Sequence, residues 1–198
     1  MDSNEDAILW AAFRQGNRQA YATIYQQQVR ALFTYGCKFT SDHSLVEDCI
    51  HDLFFYLWEH RRGLGDTQST RYYLFKSLRR RIVEQVQQTQ SSLDSGEPTG
   101  YFLTALSPET HWIERQEVIR QEQQLARAFG TLSERHREAI YLKYYHNLSA
   151  EEIASVMQIN RRTVYKLLDK ALKMMKEQFS PLATAAGILS FLYGHVYP

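Results

Sequence analysis

The sequence predicts an all-α protein: two small helical domains joined by a flexible linker, the C-terminal one a helix-turn-helix. Three observations lead there. Apolar residues recur at helical spacing through most of the chain. Helix-start and helix-stop residues bracket those stretches. Residues 87–100, QQTQSSLDSGEPTG, lack almost all large apolar side chains, which is the composition of a linker. A length of 198 residues suits one domain or two small ones, and 44% hydrophobic content supplies packed cores. The expected division is 1–88, a linker at 89–107, 108–179, and an apolar tail at 180–198.

Taken in order, Glu5 to Gln15 reads as a helix with Ile8, Leu9, Ala12 and Phe13 inward, closed by Gly16 in a left-handed cap. Asn17 caps a second helix with the stripe Tyr21, Ile24, Tyr25, Gln28, Val29, Leu32 and Phe33, running on towards Phe39. After the polar break 40–43, Ser44 and Glu47 form a capping box for a third helix, whose Val46, Cys49, Ile50, Leu53, Phe54, Leu57 and Trp58 share one face. A loop from Arg61 to Thr70, with Gly63 and Gly65, leads to a fourth helix from about Arg71 to Gln87.

That fourth helix carries Leu74, Leu78, Ile82 and Val86 on an inner row and Tyr72, Phe75, Lys76, Arg79 and Arg80 on the other side. Rings stack on unpaired bases while cations track phosphates, so this mixture suits single-stranded nucleic acid. Tyr72 and Phe75 would serve equally as core of a four-helix packing. Beyond the linker, Ser107-Pro108-Glu109 starts a helix running through Trp112, Ile113, Ile119, Leu125, Ala128 and Phe129 to Gly130. Ser133 caps the next, which Ala139, Ile140, Leu142 and Tyr144 carry to His146, and Asn147 takes a left-handed turn.

Ser149 and Glu152 form a capping box for a short helix with Ile153, Ala154 and Met157 on one face. The turn Gln158-Ile159-Asn160 follows, and Asn160 caps a longer helix with the stripe Val164, Leu167, Leu168, Ala171, Leu172 and Met175. Between Arg161 and Lys176 six Lys/Arg face one acid, Asp169, a local charge of about +5 in a chain of net charge +1. A short helix, a tight turn and a longer basic helix read as a helix-turn-helix. Arg161, Arg162, Thr163 and Lys166 lie where a helix entering the major groove reaches base edges, and Lys170, Lys173 and Lys176 where it reaches phosphate.

Cys37 and Cys49, the only cysteines, provide neither a disulfide framework nor a CxxC metal pair, which fits a reducing, intracellular compartment. The acidic start MDSNEDAILW lacks signal-peptide character, so a cytoplasmic location is expected. The tail from Pro181 to Pro198 has no Lys, Arg, Asp or Glu; Gly187, Gly194 and the prolines break it, and docking on a protein surface is expected.

These stretches together resemble the extracytoplasmic-function (ECF) sigma factors of bacteria. VEDCIHDLFFYLW resembles the family's acidic polymerase-gripping helix, RYYLFKSLRRR its promoter-melting helix, and LSAEEIASVMQINRRTVYKLLDKAL its promoter-reading motif. The resemblance covers the chain to about Phe179. It implies that 1–88 is a sigma domain 2, that 108–179 is a sigma domain 4, and that Asp48, His51 and Asp52 face polymerase. His51 stands where the family usually has Gln. It implies that the loop from Gly63 to Thr70 with Arg71, Tyr72 and Tyr73, aided by Phe75, Lys76, Arg79 and Arg80, captures the melted −10 element. Arg161, Arg162, Thr163, Tyr165, Lys166 and Lys170 would read the −35 element as duplex. Leu167 stands where Arg is frequent and Gln158 where Gly is frequent, which leaves the bases read open.

The implied partners are core RNA polymerase, through the clamp helices of its largest subunit and its flap, promoter DNA, and an anti-sigma factor that can be membrane-anchored. No small-molecule substrate, cofactor, metal or catalytic residue is implied. Asp48-x-x-His51 has the spacing of half a di-iron site, but no second Asp/Glu-x-x-His occurs in the sequence. The stronger alternative is a conventional helix-turn-helix regulator with an N-terminal sensing or dimerisation domain, which leaves the aromatic and basic helix unexplained. A pure interaction adaptor is a third, against which the charge of the last long helix argues.

Overall fold

Residues 3–67, 69–91 and 128–178 are described by the computed structural model. The chain divides into two compact units, Met1–Leu103 and Thr104–Pro198. The expected helix from Ser107 lies outside the described residues except for its end at 128–130, as do most of the linker and the apolar tail.

In the first unit the helices are α1 (Ser3–Arg14), α2 (Arg18–Gly36), α3 (His43–His60) and α4 (Thr70–Ser91), with one 3-10 turn at Arg61–Gly63. Helix α2 packs on α1, α3 and α4, and α3 packs on α4. Each helix contributes one stripe to the core: Ile24, Leu32 and Tyr35 from α2, Val46, Ile50, Leu53 and Leu57 from α3, and Leu74, Leu78 and Ile82 from α4. Burying such side chains contributes roughly 1.5–3 kcal/mol each. At Gly36 side chains of α3 and α4 press on α2: a Cβ there would lie 2.5 Å from Val46 Cγ1 and 3.0 Å from Ile82 Cδ1.

Gly16 turns the chain with φ +92° and the Asn17 side chain accepts from the Ala20 N–H at 3.0 Å, both as expected. Three details differ. Ile8 is 61% exposed and Trp10 is 1% exposed, because the inward phase of α1 is set by Trp10 and Phe13, whose rings lie 5.2 Å apart. The cap of α3 is Asp42, which accepts from Leu45 N–H at 3.1 Å; the chain enters the helix one residue before Ser44, so Ser44 is already helical. Phe75 of α4 is buried in the core and not on the outer flank of its helix.

In the second unit α5 (Glu134–Ile140) runs into a π turn (Tyr141–Tyr145), then α6 (Ala150–Met157) and α7 (Arg161–Gln178) follow. Helix α7 packs on both α5 and α6 through Val164, Leu168, Ala171 and Met175. Ser133 holds the N-cap position of α5, yet its hydroxyl engages His136 Nδ1 instead of a backbone N–H. Asn147 takes φ 53°, which redirects the chain from the π turn into α6.

Candidate nucleic-acid interface

The second unit builds a helix-turn-helix from local hydrogen bonds. Ser149 Oγ accepts from Glu152 N–H at 3.2 Å, and the Glu152 carboxylate accepts from Ser149 N–H at 2.8 Å, a complete capping box. Helix α6 ends at Gln158 with φ 55°, and Ile159 N–H donates to Ala154 O at 2.9 Å. Asn160 Oδ1 then accepts from both the N–H and the hydroxyl of Thr163, at 2.8 and 2.9 Å. The hydroxyl expected at the DNA is thus already part of the cap that starts α7.

On α7 the buried stripe leaves the opposite face to cations. Arg161, Arg162, Tyr165, Lys166, Lys170, Lys173 and Lys176 are exposed. Arg161 is held: it pairs with Glu151 of α6 at 2.6 Å, donates to Tyr165 Oη and lies 5.4 Å over that ring. Lys173 pairs with Asp169 at 2.9 Å. The Arg161 contacts orient the first turn of α7 and join it to α6. His136 of α5 lies under α7; burial, then the Lys170 charge, pushes its pKa below the usual histidine value.

The first unit divides the residues expected at single-stranded DNA. Tyr72, Lys76, Arg79 and Arg80 lie on one outer flank of α4: Lys76 Nζ donates to Tyr72 Oη at 3.3 Å and Arg80 pairs with Glu84 at 2.8 Å. Phe75 does not join them. It is 0% exposed and packs on Tyr35 with ring centroids 4.8 Å apart. Its position, one residue past Leu74, lies on the core side of the helix, so it cannot stack on a base. Arg71 Nε donates to the buried Gln28 Oε1 at 3.3 Å. Tyr73 lies 5.1 Å from Trp10, and burial raises its phenol above the usual value.

The loop between α3 and α4 is tied down by α1. Trp10 Nε1 donates to Gly65 O at 3.0 Å, Arg14 pairs with Asp66, and Asp6 Oδ2 accepts from Thr70 N–H at 2.8 Å, capping α4 from another helix. Sequence reasoning missed Asp6 and Trp10 here, since both act across more than fifty residues.

Asp48, His51 and Asp52 are all exposed on one face of α3. Phe55, on the same face one turn on, is 68% exposed. Its exposure was legible only as a Phe out of phase with the apolar stripe. A mostly apolar groove beside it is lined by Tyr21, Tyr25, Phe54 and Trp58, with Arg18 and His51 at the edge. Among the described residues no cluster of three or more His, Cys, Asp or Glu could hold a metal, and no helix is long and apolar enough to cross a membrane.

The second unit is thus a helix-turn-helix with a cationic face on its longer helix. Residues 122–175 match the family described as Sigma-70, region 4. The ECF RNA polymerase sigma factor SigL of Mycobacterium tuberculosis is 24% identical over 77% of this chain and 85% of its own length. SigM of Bacillus subtilis, also an ECF RNA polymerase sigma factor, is 22% identical over 79% of this chain and 93% of its own. Two solved structures share the fold. CnrH in complex with the cytosolic domain of CnrY has a TM-score of 0.56 at 19% identity, covering 87% of this chain and 95% of that one. RpoE of Bartonella quintana, in complex with the anti-sigma factor NepR, has a TM-score of 0.59 at 19% identity, covering 80% and 95%. Most of this chain is thus similar to proteins named ECF RNA polymerase sigma factors, and residues 122–175 carry the region 4 match.

Proposed function

We propose that this chain directs promoter-specific transcription initiation, with 1–88 binding core RNA polymerase and the −10 element and 108–179 reading the −35 element. The observation that carries it is the cationic face of α7, opposite a buried apolar stripe, inside the segment that matches region 4. A helix fits the major groove, and Arg161, Arg162, Tyr165 and Lys166 stand in its first two turns. Lys170 sits farther along, at phosphate distance in such a docking.

The other two surfaces complete the division of labour. Asp48, His51 and Asp52, with Phe55 beside them, form an acidic face with an apolar centre that meets the clamp helices of polymerase. Tyr72, Lys76, Arg79 and Arg80, with the braced loop and Arg71 and Tyr73, capture the melted strand, because rings stack on bases only after the duplex opens. RpoE, which shares the fold, is solved with an anti-sigma factor, and that likeness supports an anti-sigma partner here. Chemistry on nucleotides is left to the polymerase, and no cofactor enters.

The test is in vitro transcription of a genomic library with purified core polymerase, with and without the chain. Chain-dependent transcripts sharing two upstream boxes support the reading. Binding to duplex DNA without core enzyme, with no initiation, would identify a conventional helix-turn-helix regulator instead.

A further inference from the structure

Arg161 is the first residue of α7, where the helix dipole disfavours a cation. Two neighbours hold it there. Glu151, in the first turn of α6, accepts from Arg161 Nη1 at 2.6 Å, and both side chains are 59% exposed. The adjacent Glu152 is taken up by the Ser149 capping box, so Glu151 is the carboxylate of that turn that turns to α7. Tyr165, one turn on from Arg161, accepts from Arg161 Nε at 3.3 Å and from Nη2 at 3.1 Å, and it is 50% exposed. A phenol oxygen has lone pairs to accept with and a single hydrogen to donate. With two N–H groups aimed at that oxygen its accepting side is taken, and the hydrogen is what remains for a further partner. Glu151 fixes Arg161, and Arg161 fixes Tyr165 as a donor. An ion pair this exposed adds little to stability, and an acid beside a cationic helix weakens its attraction to phosphate, so the effect of Glu151 lies in orientation.

We propose that Glu151 is a positioning residue and Tyr165 a specificity-determining one: the Glu151–Arg161–Tyr165 chain of contacts presents duplex DNA with a hydroxyl that donates and does not accept. The base edge that suits it follows from the major-groove pattern. Guanine offers the acceptors N7 and O6, adenine N7 and thymine O4, whereas cytosine offers the N4 amine, a donor. A donor-only hydroxyl finds an acceptor on the first three and a second donor on cytosine, so the position met by Tyr165 excludes cytosine on the contacted strand. Arg161, with its Nε and Nη2 on the phenol and its Nη1 on the carboxylate, acts through Tyr165 and is not itself a bidentate guanine grip. This assignment rests on the reading of α7 as the −35 helix, and it gives an acid of α6 a part in sequence choice that the charge of α7 alone does not supply.

The probe is a pool of DNA duplexes with a randomised −35 window, selected by the full chain bound to core polymerase and then sequenced, for wild type, Tyr165→Phe and Glu151→Gln. Wild type is expected to deplete cytosine at one position about fivefold, and both variants to level that position while the rest of the motif stands. Glu151→Gln is also expected to bind the whole pool at least as tightly as wild type and to keep its melting midpoint, because it loses an acid and no packing. Depletion of cytosine kept by Tyr165→Phe overturns the donor role. Depletion kept by Glu151→Gln overturns the positioning role, and so does a uniform loss of affinity or a lowered midpoint with the motif intact, since Glu151 would then be structural. If wild type enriches no motif, the −35 reading itself fails and takes this assignment with it; a motif shared by all three proteins sinks the assignment alone.

Discussion

Replacing Phe75 by Ala separates the two roles the α4 sequence allows for that ring. Phe75 is 0% exposed, packed against Tyr35 and flanked on its helix by the buried Leu74 and Leu78. A fully buried Phe truncated to Ala costs about 3–5 kcal/mol, the lost transfer plus the cavity. For a unit of this size each kcal/mol moves the midpoint by roughly 4–8 °C, so a fall of at least about 12 °C is expected. Thermal unfolding followed through Trp10, buried in the same unit, reads it. Tyr72→Ala is the comparison: Tyr72 is half-buried, so it should shift the midpoint by only a few degrees while weakening binding to single-stranded DNA. The reasoning is refuted if Phe75→Ala melts like wild type and loses single-strand affinity as Tyr72→Ala does.

Gly36→Ala should destabilise the first unit by about 1–3 kcal/mol, despite the better helix propensity of Ala, because the Val46 and Ile82 methyls occupy the Cβ position; urea midpoints check it. Lys166→Ala should weaken duplex promoter binding and lower the slope of log K against log salt by about 1, measured by filter binding of the holoenzyme across salt. Asp6→Ala should cost about 0.5–2 kcal/mol through the lost α4 cap and quicken proteolytic cutting at the loop 64–69; an unchanged cutting rate would show that α1 does not brace that loop. Cys49 is pushed up to about 11 by burial first, then by Asp52, with Arg81 opposing. The folded state therefore holds a proton that the unfolded thiol releases from about pH 8.5. Stability from this group is full below that value and is lost as pH rises towards 11. Cys49→Ala should flatten that part of the alkaline unfolding curve.

Short-range chemistry carried most of what the sequence revealed. The Ser149–Glu152 box, the Asn160 cap and the left-handed Asn147 span three residues or fewer, and the stripes of α3 and α7 repeat every turn. Such features are dictated by neighbours in the chain, so the helix-turn-helix and its cationic face were legible from the order of residues alone. Ser44 was misjudged by two residues because Asp42 competes for the same cap and lets the helix begin earlier. Phe75 could not be placed from periodicity alone: it sits on the edge of the α4 stripe, where core and surface assignments differ by one residue of rotation.

What the sequence determined by itself is therefore the helices, their caps, and the side of α7 that carries charge, because those depend on contacts within one or two turns. Only the tertiary structure decided which flank of α4 faces water, that α1 rotates to bury Trp10 and expose Ile8, and that Asp6 and Trp10 hold a loop over fifty residues away. Those outcomes depend on which helix lies alongside, a packing so close at Gly36 that Val46 and Ile82 leave no room there for a Cβ.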